Sequence, residues 1–199
     1  MNRKIFFSLM SIATALVVGV GGTFAYFSDV GTSTGNVFAS GTFDLKLTDD
    51  NEVALDNVSA TWSGSNMAPG GTGVTATLNL ENTGTVAGDH IHFKATNTPT
   101  DNPAAEDLGS MSKHLEVTVM TYDAVNILPL FTDSNGNGHI DLEDLQSGSD
   151  GVNIGALTNL NSNHPLVMTV RLDSATDNTY QGDQVSTVFT ATLHQNASQ

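Results

Sequence analysis

The densest run of metal-seeking oxygen atoms in this 199-residue chain lies at residues 133–144. Counting Asp133 as position one, oxygen-bearing side chains fall at positions one, three, five, nine and twelve: Asp133, Asn135, Asn137, Asp141 and Asp144. Gly138 occupies position six, where such a loop must turn sharply, and His139 at position seven offers its backbone carbonyl. Calcium takes roughly six to eight oxygens at about 2.3–2.6 Å, and this spacing wraps them around one point. The expectation is a structural Ca2+ site built by Asp133, Asn135, Asn137, His139, Asp141 and Asp144, with Ile140 anchoring the loop in the core. Position twelve is Asp144 rather than the bidentate Glu of an EF-hand, and the shorter side chain resembles the dockerin-like variant. The alternative is a metal-free Asn-Gly turn, which does not require acids at positions nine and twelve.

Other chemistry-bearing residues are sparse. His90 and His92 share one face of an expected strand and could take a transition metal together. The reading preferred for them is plainer: polar-face residues opposite Ile91 and Phe93. The chain has no HExxH, no GxSxG and no phosphate-cradling loop ending in Gly-Lys-Ser/Thr. It has no cysteine, which excludes disulfides and thiol chemistry. Asp49, Asp50, Glu52 and Asp56 read as a solvated acidic loop. Trp62, the sole tryptophan, reads as a core residue rather than a sugar platform.

The elements that must hold these residues follow from composition. With 25 Thr, 18 Asn and 19 Gly, the chain favours strands and turns over long helices. A net charge of -15, from 6 Lys+Arg against 21 Asp+Glu, leaves no cation cluster for a phosphate backbone, so nucleic acid is excluded as a partner. At the front, Arg3 and Lys4 precede an apolar run from Ile5 to Gly22 that ends in Thr23-Phe24-Ala25. This order of charge, apolar stretch and small residues reads as a signal peptide over residues 1–25, cut between Ala25 and Tyr26 by signal peptidase. The alternative is an uncleaved anchor, since 18 residues is the lower edge of a spanning helix. The processed chain is acidic enough to repel anionic headgroups, so no stable membrane association follows cleavage.

Period-two alternation marks six strands. Phe43, Leu45 and Leu47 open the series, followed by Val74, Ala76, Leu78 and Leu80. Ile91, Phe93 and Ala95 make the third, and Leu115, Val117 and Val119 the fourth. Leu166 to Leu172 and Val185 to Leu193 complete it. Each run has one apolar and one polar face, so the fold class is all-β: two antiparallel sheets covering each other as a β-sandwich. Residues 98–113 read as a surface loop with a short helix around Ala104 to Leu108.

Three segments resemble the TasA/camelysin family of secreted biofilm-matrix fibre proteins. They are Gly21 to Asp29 running into Phe38 to Leu45, Met67 to Gly71 leading to Leu78 to Gly84, and Tyr180 to Asp183 entering Phe189 to Leu193. Their order and spacing cover nearly the whole chain. The resemblance implies a jelly-roll domain over residues 42–199, cleavage before Tyr26 by a dedicated signal peptidase, and extracellular polymerisation. In such fibres the freed N-terminal segment, here residues 26–41, adds as a strand to the neighbouring subunit. Tyr26, Phe27, Val30, Val37 and Phe38 would supply its contacts. An extended segment pairing with an exposed sheet edge satisfies backbone groups on both chains, and a head-to-tail contact that does not close propagates as a filament.

The leading expectation is thus a secreted, non-enzymatic subunit of an extracellular matrix or cell-surface fibre. Its partners are further copies of itself and matrix accessory proteins. The competing readings are a camelysin-like secreted metallopeptidase, doubtful without HExxH, and a monomeric calcium-dependent adhesin.

Overall fold

The computed structural model describes residues 2–21, 40–49, 55–58, 61–102, 110–146 and 148–196. The expected cleavage point at Ala25–Tyr26, the assembly residues Tyr26, Phe27, Val30, Val37 and Phe38, and the short helix around Ala104 to Leu108 lie outside the described residues. The chain divides into two units, residues 1–39 and 40–199. In the first, the apolar run forms a helix, α1 (Arg3–Gly21), opened by Asn2, whose carbonyl accepts from the Ile5 and Phe6 amides. No helix among the described residues is long and apolar enough to cross a membrane.

The second unit is mostly β, with two antiparallel sheets. One has five strands in the order β1 (Leu45–Thr48), β2 (Val74–Asn82), β7 (His164–Leu172), β4 (Leu115–Tyr122) and β5 (Val125–Asn126). The other has three, β6 (Val152–Ala156), β3 (His90–Thr100) and β8 (Gln184–His194), with β3 in the middle. All six alternating runs become strands. Two differ at their ends: β1 starts at Leu45, leaving Phe43 outside it, and β3 runs on to Thr100, so residues 98–100 are strand rather than loop. Pro99 is tolerated there because β6 covers only the His90–Phe93 end of β3, so the residue lacking an N–H is flanked by β8 alone.

Both sheets contribute to one core. Leu78 and Leu80 of β2, Met120 and Tyr122 of β4, and Leu166 and Met168 of β7 meet Ile91 and Phe93 of β3. Phe93 stacks on Phe189 of β8 with centroids 5.5 Å apart. These are the apolar faces that alternation selected except on β4, where a register shift between Val117 and Val119 turns Val119 outward (43% exposed) and buries Met120 and Tyr122 in its place. Truncating one such buried aromatic costs about 3–5 kcal/mol. Burial also pushes the Tyr122 hydroxyl pKa well above its ordinary value of 10.0, and that hydroxyl donates to the Ala156 carbonyl at 3.0 Å.

Candidate functional site

The opposite face of β3 carries the most concentrated chemistry. Because side chains alternate along a strand, His90 and His92 point away from Ile91 and Phe93, as expected. Register then adds a residue that sequence reading missed. His90 pairs directly with His194 of β8, so three imidazoles share one patch. Their centroids are 4.5–4.9 Å apart, and their ligand nitrogens lie within 4.8 Å of one another. It is the one such convergence of three His, Cys, Asp or Glu side chains found among the described residues.

The patch is covered rather than solvated. His90 is 6% exposed, and the side chains of His92 and His194 are 15% and 11% exposed. The cover is the turn at residues 148–151. Lys94 Nζ donates to the Ser149 carbonyl at 2.5 Å, and Gly151 (φ +100°) lies so close to β3 that a Cβ there would stand 2.6 Å from the Phe93 carbonyl oxygen. Between these anchors Asp150 places its Oδ2 2.7 Å from His92 Nδ1 and 3.1 Å from His194 Nε2. Neither contact is aligned as a hydrogen bond, and both nitrogens are buried without a hydrogen-bond partner. His90 Nδ1 is tied to Asp89 Oδ2 at 2.7 Å, which leaves Nε2 as its ligand atom. Buried, orphaned imidazole nitrogens of this kind fit a transition-metal ion, and no sequence signal fixes where His194 or Asp150 will stand.

The calcium-type loop is built from the expected residues. Asp133 accepts from the Gly136, Asn137 and Gly138 amides, and the Gly138 bond chiefly holds its pKa below the usual aspartate value. Asn135 and Asn137 both donate their side-chain amides to Asp141 Oδ2, at 2.8 and 2.7 Å. Asp144 accepts from Ser134 and from the Asp141 amide. Ile140 packs against the core, and the flanking backbone bonds to β4 through Val117 and Leu115. His139 donates its amide to Asn137 Oδ1, while its Nε2 is buried without a partner.

A third feature concerns edges. β8 is eleven residues long, and no strand among the described residues pairs with its outer side. Beside it opens a cleft of about 850 Å3 between the sheets, lined by Trp62, Met67, Val74, Leu172, Val185 and Phe189. Trp62 is fixed there by its Nε1–H, which donates to the Met168 carbonyl at 2.9 Å.

The fold and these sites define a two-sheet β protein with a histidine cluster on one face and a strand edge, that of β8, unpaired among the described residues. The chain belongs to the camelysin metallo-endopeptidase family, whose model matches residues 1–199. No curated protein matches it.

Proposed function

We propose that this protein is a secreted structural subunit of an extracellular fibre, polymerising by donation of residues 26–41 from one copy to the next. The observation that carries this reading is the outer edge of β8, unpaired among the described residues, beside a cleft with both apolar and polar walls. A three-stranded sheet facing a five-stranded one leaves room for another strand, and a jelly roll completed in this way satisfies the β8 backbone groups. Alternate side chains of the donor, such as Phe27 and Val37, would enter the cleft, with Phe38 on the opposite face. The arginine-lysine start and apolar helix α1 fit an export signal whose removal frees the donor. Electron microscopy of the protein cleaved before Tyr26 should show filaments, and a chain lacking residues 26–38 should stay monomeric. Equal polymerisation without that segment would refute the mechanism.

Within the same proposal, loop 133–144 takes calcium through Asp133, Asn135, Asn137, His139, Asp141 and Asp144, and stiffens the connection between β5 and β6.

A second reading, a metallo-endopeptidase, is favoured by the family and by the His90–His92–His194 cluster. A bound metal there would polarise a peptide carbonyl and activate water. Chelator-sensitive cleavage of casein, lost in His92→Ala, would support it; casein left intact by the metal-loaded chain would sink it.

A further inference from the structure

We propose that His90, His92, His194 and Asp150 form a closed, four-donor site for a divalent transition metal of the zinc class, which clamps the turn at residues 148–151 onto the β3–β8 pair. The family implies a metal but not its ligands; the assignment here rests on geometry and stands or falls independently of fibre assembly. Three imidazoles and one carboxylate suit zinc and its neighbours, whereas calcium and magnesium prefer shells of oxygen alone.

Spacing agrees with that choice. Four donors about 2.0–2.1 Å from one zinc ion stand roughly 3.3–3.4 Å apart. Asp150 Oδ2 already lies 2.7 Å from His92 Nδ1 and 3.1 Å from His194 Nε2, and one nitrogen of each of the three imidazoles lies within 4.8 Å of the other two. His92 Nδ1 and His194 Nε2 are both buried with no hydrogen-bond partner, so a metal ion would satisfy them. Asp89 supplies the outer support: its carboxylate holds His90 Nδ1 and so selects the tautomer that presents Nε2.

Asp150 decides between a structural and a catalytic site. A catalytic zinc keeps a fourth position for water or substrate, and here a protein carboxylate fills it. Lys94 and Gly151 hold that carboxylate in place from either side.

The test is a titration of the chelator-stripped, full-length chain with zinc and with cobalt. We expect one equivalent bound, visible cobalt bands of four-coordinate intensity, and no spectral change on adding azide. His92→Ala and His194→Ala should each weaken binding by at least about 100-fold. Asp150→Asn, on a half-exposed turn, should keep the fold, weaken binding by roughly 10–100-fold and let azide alter the cobalt spectrum. Should the histidine variants misfold, nitrogen NMR of the wild-type imidazoles replaces them: zinc must shift His90, His92 and His194 together. No binding, binding indifferent to these changes, or an azide response in the wild type would overturn the proposal.

Discussion

Trp62 stands edge-on to Phe189, with ring centroids 5.1 Å apart and planes 69° from parallel. This contact bridges the loop after β1 to strand β8 across the mouth of the cleft. As the sole tryptophan, Trp62 reports on whatever covers that cleft. A peptide of residues 26–41 added to the separate domain 42–199 should therefore move its emission to the blue as water is displaced. Unchanged emission at saturating peptide would place the donor elsewhere.

Phe189 itself should matter for both stability and assembly. It is stacked on Phe93 and packed against Trp62, so Phe189→Ala removes aromatic contacts on two sides. Because Phe189 is only partly buried, a loss of about 2–3 kcal/mol in urea unfolding is expected, below the roughly 3–5 kcal/mol of a fully buried ring. A loss under about 1 kcal/mol would mean that the cleft wall collapses to fill the gap.

Three aspartates set the acid side of the stability profile. Asp133 is held low chiefly by the Gly138 amide, Asp44 by Lys46, and Asp177 by Thr179. A carboxylate with a depressed folded pKa contributes stability above its unfolded value, near 3.8, and loses it as pH falls through the folded value. The difference in urea midpoint between wild type and Asp133→Asn should be constant near neutrality and shrink only below the ordinary aspartate range. A difference that vanished already near pH 6 would contradict this order.

Calcium should stabilise the fold in a concentration-dependent way, by about 2.7 kcal/mol at one hundred times the dissociation constant, read as a rise in melting temperature. Binding requires the Asn135 and Asn137 side chains to turn their oxygens inward, releasing the amide bonds that they give Asp141. Asp141→Asn should abolish the shift while leaving zinc binding at the histidine cluster intact. Identical thermal curves with and without calcium would rule out the loop as a site.

Most strand faces were legible because alternation is written locally: Leu78 and Leu80, or Ile91 and Phe93, declare their side without knowledge of a partner, whereas the bulge that turns Val119 outward in β4 arises only on pairing with β7. The run 133–144 could be singled out as a candidate loop for the same reason, since its residues lie within one short stretch. What depends on pairing was not legible. β6 carries only Val152 and Ile154 as apolar signal and is broken by Gly155, and β5 is two residues long. The histidine cluster needs the β3–β8 register, which sets His194 opposite His90 across more than a hundred residues. His90 and His92 stand on the face of β3 opposite Ile91 and Phe93, as alternation places them, but their burial was not legible, because the turn that covers them is recruited from residues 148–151.

That turn supplies a last prediction. Gly151 adopts φ +100°, and a Cβ there would lie 2.6 and 2.9 Å from the Phe93 carbonyl oxygen and carbon. Backbone cannot swing aside as a side-chain tip can, so Gly151→Ala must lift the turn away from β3. Strain alone costs about 1–3 kcal/mol, read as a fall in the urea midpoint. Gly148 also has a positive φ, of +66°, but its Cβ would meet only the Gly151 nitrogen at 4.0 Å. Gly148→Ala should lose about 1–2 kcal/mol from conformation alone. The two are separated by a second readout. Lifting the turn withdraws Asp150 from His92 and His194, so Gly151→Ala should shift the imidazole resonances of both, whereas Gly148→Ala should leave them in place. Equal imidazole spectra for the two variants would show that Asp150 is not held by the close approach of Gly151 to β3.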